Sequence, residues 1–441
     1  MRRYLHIALA IGGGAAFAAA LATLMGGFER PNSWLAERYR SVGWIDPSEG
    51  ARLLWLEWVA LTVLALAAAR WTVELTEPTQ KILIACGVIA IAPGLSLSLA
   101  VYGFYFAPFA PMAAALLGAV GAGIFGLTER GGRKRVLERL LGTRVSRRRF
   151  LELLEAEEAP SFFARRSEVA VLSCRLLESD AWGAFEPAER VACADLFARL
   201  VGDLLLARGA CVERCGPGLV QASFGLLEDG DANSEPGTSA AAACAVALEL
   251  RGRFATFRRE CESRWLAGPQ CGAGLSVGTL SLGVCTGRDG PVFTATGPER
   301  EFSDRLALAN ARHGSEVLCD AATYRLASER FEFRPLEMVY DPERREMLEV
   351  YEPLAATADF SDEDRARRDA FWKGLVLLRG GGYEEALEKF GQARSGARED
   401  QPLERLVSRA QAALAGDEEK GAGRHRLVEG QGGHARHIDW L

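Results

Sequence analysis

This sequence predicts a ferredoxin-like α+β domain mounted behind a four-helix transmembrane region and followed by a short helical tail. Three observations carry that architecture. Up to about Leu127 the chain is dominated by Ala, Leu, Gly, Ile and Val, and after Glu129 it turns charged and mixed. From Ser167 to about Pro353, runs of β-forming residues alternate with amphipathic helical runs. Beyond Pro353 the periodicity is helical again.

Residues 1–128 hold four apolar runs: Tyr4 to Phe28, Leu53 to Ala69, Ile82 to about Tyr102, and Pro108 to Leu127. Each reaches or approaches the roughly 20 residues that a bilayer-crossing helix needs. Arg2 and Arg3 before an Ala-rich run also fit a secretory signal peptide, but the run's length and the spans behind it favour an uncleaved anchor. Trp55 and Trp58 suit an interfacial belt, which puts Glu57 close to the headgroups. Pro93 and Gly94 would kink the third span, as a bundle tolerates. Arg130, Arg133, Lys134, Arg135 and Arg139 follow the last span and mark the cytoplasmic side. Four spans return Arg2 and Arg3 to that side and leave the Glu29 to Arg52 loop outside. With Trp34, Tyr39 and Trp44, that loop reads as an interfacial connector too short for a core of its own.

Residues 129–160 read as a juxtamembrane element, helical from Arg133 to Glu158. Arg147, Arg148 and Arg149 fit a solvated helix face beside anionic headgroups. A dimerising signalling helix fits the same segment, and the two readings are compatible. In residues 165–355, SEVAVLSCRLL is a buried strand and Pro187 to Arg208 an amphipathic helix stopped by Gly209. GACVERCGPGLVQASFG is a hairpin turning at Gly216-Pro217-Gly218. Leu226 to Ser239 reads as a polar loop, and Ala240 to Trp265 as a long helix. CGAGLSVGTLSLGVC reads as a strand pair with Gly278 as its turn. Val292 to Thr296 is a short strand, Glu299 to Ala311 a helix, Val317 to Leu318 a strand, and Phe331 to Glu352 a closing ribbon. A helix pair inserted among antiparallel strands is what gives the ferredoxin-like expectation.

Residues 356–415 begin with an acidic linker, ATADFSDEDRARR. The helical run from Phe371 to Ala393 then resembles one tetratricopeptide-like (TPR-like) hairpin, with Gly374, Gly382, Tyr383, Ala386, Phe390 and Ala393 at fitting spacings. Pro402 to Leu414 adds a third helix, and such a tail is expected to pack on the preceding domain or on a protein partner. Residues 416–441 are expected to be disordered, His425, His434 and His437 included. A net charge of -6 gives no reason to expect a nucleic-acid partner, and the ten Cys and five His show no metal-ligand spacing. Buried, reduced thiols are the expected state.

Four colinear blocks and a closing ribbon, together running from Ser167 to about Pro353, resemble the class III nucleotide cyclase homology domain. EVAVLSCRL is similar to that family's first strand, and CVERCGPGLVQASFG to its hairpin. CGAGLSVGTLSLG is similar to the next block, and FTATGPEREFSDRLALAN to the run usually written YTVIGDxVNxAsRLe. FRPLEMVYDPERREMLEVYEPL is similar to the closing strands. The GTRVSRRRFLELLEAEE segment likewise resembles the element that joins membrane spans to a cyclase domain in bacteria. The resemblance implies a bacterial inner-membrane, multi-pass protein with its cyclase-like domain in the cytoplasm. It further implies a homodimer or heterodimer formed through that domain.

Such enzymes close the ribose 3′-hydroxyl onto the α-phosphate and release pyrophosphate, using two metal ions held by two Asp residues. By that resemblance the Asp positions fall on Arg175 and Pro217, neither of which can ligate a metal through its side chain. The nearby Glu178 and Asp180 lie past the strand end, out of register to replace them. The purine-selecting Lys falls on Glu213, its partner Asp on Pro298, and the ribose-orienting Asn on Glu301. Of the catalytic set only the transition-state Arg is kept, as Arg305, which is also open to reading as a helix-surface residue pairing with Asp304 or Glu301. The expectation is a catalytically inactive homologue with a regulatory or scaffolding role and no cofactor. The alternatives are an active adenylate cyclase with a rebuilt site, using Mg2+ or Mn2+, and a nucleotide-binding sensor without turnover.

Overall fold

A computed structural model describes residues 2–44, 52–75, 77–156, 165–177, 185–227, 237–265, 268–287, 290–341, 345–394, 400–415 and 439–440. The chain divides into two compact units, Met1–Arg139 with Phe150–Ala159, and Leu140–Arg149 with Pro160–Leu441.

In the first unit, α1 (Arg2–Leu24), α3 (Leu54–Glu74), α4 (Pro78–Val101) and α5 (Phe109–Leu127) are long and apolar enough to cross a membrane. Small residues let α1, α3 and α5 approach backbone to backbone: a Cβ on Gly118 would lie 2.7 Å from the Ala65 carbonyl oxygen. The connector after α1 holds a helix, α2 (Glu29–Ser41), where the sequence suggested only a loop. Its Tyr39 is buried and shares a hydrogen bond with Ser96 (3.3 Å). The basic cluster behind α5 also does local work. Lys134 Nζ donates to the Glu74 carbonyl at the end of α3 (2.5 Å), where a cation complements the helix dipole.

The expected juxtamembrane helix is two helices, α6 (Glu129–Leu140) and α7 (Arg147–Glu155). Gly142, with φ +45, opens a one-turn 3-10 segment between them, and the Ser146 hydroxyl accepts from the Arg149 amide (3.2 Å) to start the second. Arg133 donates to the Leu153 and Ala156 carbonyls (both 2.7 Å), tying the end of α7 to α6.

The second unit is built on a nine-stranded sheet ordered β2-β3-β1-β4-β6-β8-β7-β9, with β5 paired to β4. The strands are β1 (Arg165–Leu177), β2 (Cys211–Gly216), β3 (Leu219–Phe224), β4 (Gln270–Gly287), β5 (Gly290–Thr296), β6 (Val317–Asp320), β7 (Phe331–Asp341), β8 (Glu346–Ala356) and β9 (Asp439–Trp440). β6 runs parallel to β4, and every other pairing is antiparallel. With α8 (Pro187–Ala207) after β1 and α9 (Thr238–Trp265) after β3, the first four strands have the β-α-β-β-α-β order of a ferredoxin-like domain. Residues 228–236 of the expected loop and 416–438 of the expected tail, with its three His, lie outside the described residues.

β4 corrects one expectation. It is a single strand of 18 residues, and Gly278 sits within it opposite Val169 of β1 rather than at a turn. The glycines of this strand mark the close approach of a helix. α10 (Pro298–His313) lies so close to β4 that a Cβ would fall 2.3 Å from Ala307 O at Gly272, 2.0 Å from Ser303 O at Gly274, and 2.3 Å from Glu299 Oε1 at Gly278.

The other sheet face is apolar. Ala170, Leu172, Cys174 and Leu176 of β1 pack with Phe197, Leu205, Phe254 and Phe257 from α8 and α9. Seven of the ten Cys are buried, while Cys86, Cys215 and Cys285 are exposed, a partial correction to the expected burial.

Beyond the short α11 (Ala321–Ala327), the acidic linker is shorter than expected, because Ser361 caps α12 (Asp362–Arg379) and Asp362, Glu363 and Asp364 fill its first turn. α12, α13 (Tyr383–Ala393) and α14 (Gln401–Leu414) pack on α10 and the β6-β8-β7 end of the sheet, through Phe371, Leu375, Phe390 and Leu406 against Phe302, Leu306 and Val339. Arg334 pins this junction, held by Glu352 (2.7 Å) and Asp400 and lying over the Phe371 ring at 4.6 Å.

Candidate functional site

Strand register decides what faces α10. Alternate residues of a strand point to opposite faces, so Ser173 and Arg175 point away from the apolar core that Leu172 and Cys174 enter. On β3 the same face carries Gln221 and Ser223, and on β2 it carries Glu213. The Pro217-Gly218 turn brings the hairpin tip to the end of β1. Gly218 has φ +74, as the third position of a Pro-Gly turn requires, and its carbonyl accepts from the Leu176 amide (3.0 Å). Arg175 pairs across with Leu219, so Arg175 and Pro217 occupy the same end of neighbouring strands. Pro217 itself is exposed.

Arg175 is engaged by a carboxylate. Its Nε and Nη2 donate to Oδ1 and Oδ2 of Asp304 on α10, both at 2.6 Å, a bidentate fork. The hydrogen bond to Asp304 holds the guanidinium pKa above its ordinary value. Beside this pair, the Ser173 and Ser303 hydroxyls meet at 2.8 Å, and Gln221 Nε2 donates to Ser173 Oγ (2.8 Å) and to the Arg300 carbonyl (3.0 Å). Arg300 returns two bonds to Gln221 Oε1 (3.1 and 2.9 Å), one to the Ala295 carbonyl (2.6 Å), and pairs with Glu213 at 3.4 Å. The Ser223 hydroxyl also donates to Glu213, whose side chain is buried. Arg300, Ser303 and Asp304 are thus one face of α10, at the i, i+3 and i+4 spacing, laid onto Ser173, Arg175, Gln221 and Glu213 of the sheet.

The other expected positions are placed apart from this network. Pro298 is exposed at the first turn of α10, and Glu301 is exposed on the same helix. Arg305 is 7 % exposed, lies over the Phe302 ring at 5.7 Å, and sits 3.4 Å from Asp341 at the end of β7. It is buried rather than on the helix surface, and at 100° per residue the helix carries it away from the face that Asp304 presents to Arg175. A cleft of about 730 Å³ opens beside the hairpin, with Arg144, Asp195, Asp203, Glu213 and Pro217 on its wall. Glu178 and Asp180 lie outside the described residues.

A two-metal site needs several hard oxygen donors converging on one point. The Arg175 position presents a guanidinium already bonded to the Asp304 carboxylate, and among the described residues no group of three or more His, Cys, Asp or Glu is arranged to hold a metal. Among the described residues, those at this position do not fit such ions.

Sequence reasoning offered Asp304 to Arg305 rather than to Arg175, and missed Arg300, Gln221, Ser173 and Ser303. A signal was available: an Arg in a buried strand demands a carboxylate, and Asp304 follows Arg300 and Ser303 at helical spacing.

No protein-family model and no curated protein matches the chain. Solved structures do. The chain is similar to the adenylyl cyclase CyaB from P. aeruginosa, at 15% identity over 45% of this chain and 99% of that one, with a TM-score of 0.38. It is similar to the guanylyl cyclase Cya2 at 12% identity over 45% of this chain and 98% of that one, TM-score 0.37. A bacterial light-regulated adenylyl cyclase matches at 16% identity over 54% of this chain and 65% of that one, TM-score 0.40.

Proposed function

We propose that the protein is a membrane-anchored class III nucleotide cyclase homologue that does not cyclise nucleotides and acts in intracellular signalling as a regulatory or scaffolding subunit. The bidentate Arg175–Asp304 pair is the observation that carries this reading. It puts a positive charge, already neutralised from within, where the family resemblance expects an anionic metal ligand. Pro217 at the neighbouring position offers no side-chain donor. Without two ions to lower the 3′-hydroxyl pKa and neutralise the triphosphate, the chemical step loses several kcal/mol of stabilisation, many orders of magnitude in rate. The reading places the cyclase-like domain in the cytoplasm beneath an inner membrane. It makes that domain the dimerising element, with a homologous chain as partner, and leaves the TPR-like helices for a further protein contact.

The test is turnover by the full chain in detergent or membranes, with ATP or GTP and Mg2+ or Mn2+. Cyclic product no greater than that of an Arg305→Ala control supports the reading. Product above that control, from either nucleotide, defeats it.

A further inference from the structure

A second cavity, of about 500 Å³, lies between α9, the end of β8 and the helices α12 and α14, away from the Arg175 network. Its size is that of small-molecule sites. Its wall carries five guanidinium groups, those of Arg251, Arg258, Arg334, Arg367 and Arg368.

The acceptors on the same wall are already engaged. Glu352 and Asp400 hold Arg334, Glu316 holds Arg258 at 3.0 Å, and Asp364, which also accepts from the Ser361 hydroxyl, holds Arg367 (2.5 Å), whose other terminal nitrogen pairs with Glu363 (2.5 Å). Arg368 is taken by Glu332 and Asp369. The donors are not exhausted, because each fork carries five N–H groups. Arg251 uses only Nη1, on the Pro353 and Leu354 carbonyls (3.4 and 3.1 Å), and has no carboxylate partner among the described residues. Arg258 uses Nη2, and its Nε is buried with no acceptor among the described residues. Arg251 and Arg258 stand two turns apart on one face of α9, about 10 Å along its axis. Arg367 and Arg368 belong to the opposite wall.

We propose that this cavity binds a compact, multiply charged oxyanion, held by Arg251 and Arg258 on one side and Arg367 on the other. A wall of planar donor forks with its own acceptors engaged favours a ligand that only accepts, and guanidinium geometry matches phosphate and carboxylate oxygens. The spacing of Arg251 and Arg258 calls for more than one charged group on that ligand. The inference stands apart from the question of turnover at Arg175.

Isothermal titration of the full chain in detergent, at fixed ionic strength, tests it with inorganic triphosphate and citrate as probes. Saturable binding of one probe molecule per chain is expected, weakened tenfold or more by Arg251→Gln with Arg258→Gln and unchanged by Arg175→Gln. Triphosphate alone assigns a phosphate ligand, and citrate alone a polycarboxylate. Should the double variant melt well below the parent, Arg367→Gln takes its place, with the same expected loss. No saturable binding of either probe overturns the proposal. So does binding that the cavity variants leave intact, or binding that falls with Arg175→Gln.

Discussion

The two faces of β1 are one residue apart in sequence and opposite in kind. Ala170, Leu172, Cys174 and Leu176 enter an apolar core shared with α8 and α9. Ser173 and Arg175 enter a polar layer under α10 in which each side chain has a named partner. The apolar face is tolerant of identity, because burial depends on area and shape and many residues of similar size will serve. The polar face is not tolerant, because an unpaired group there carries its full desolvation penalty. The first face sets the fold, while the second fixes how α10 docks on the sheet.

Removing a large side chain from the apolar face should have the largest effect. Phe257→Ala is expected to lower stability by about 3–5 kcal/mol, read as a shift in the denaturant midpoint. A loss under about 1 kcal/mol would mean that this face is not the dominant core. Gly274→Ala attacks the other side, forcing a Cβ to 2.0 Å from Ser303 O, and should cost about 2–3 kcal/mol by the same measurement.

Arg175→Leu strands the nearly buried Asp304 carboxylate. Because Arg175 is 23% exposed in its side chain, the expected loss is about 1–2 kcal/mol rather than that of a fully buried pair. The double change Arg175→Leu with Asp304→Leu should recover most of it. Additive losses would show that the two residues are not coupled.

The smallest effect is a pH effect at the far end of α10. Burial first, then Arg312, Arg405 and Arg409, lowers the His313 pKa to about 3. An unfolded His titrates near pH 6.5. Between those values the unfolded chain binds a proton that the folded chain refuses, so stability falls as pH drops through that window. From pH 7 to 5.5 the parent should lose about 1 kcal/mol more than His313→Gln in parallel melts. Equal losses would assign the acid sensitivity elsewhere.

Much of this was legible from residues alone. The four apolar runs, the Pro187 helix, the Pro217-Gly218 hairpin and the Phe331 ribbon all follow from period and turn chemistry, which are local properties. Gly278 misled because glycine in a strand has two meanings, a turn or a close neighbour, and only the tertiary position of α10 separates them. The single juxtamembrane helix failed for a related reason, since one positive-φ glycine, Gly142, outweighs a helical pattern on both sides. At the candidate site the losses at Arg175 and Pro217 could be read directly. Their consequence could not, because Asp304 and Arg175 are far apart in sequence and meet only after α10 docks on β4.

The central claim is that Arg175 and Asp304 occupy each other where the family resemblance expects a metal. A manganese titration of the full chain, following the electron paramagnetic resonance of the free ion, tests this most directly. The signal is expected to grow as it does without protein, and Asp304→Asn is expected to change nothing. Stoichiometric uptake of manganese that Asp304→Asn abolishes would contradict it.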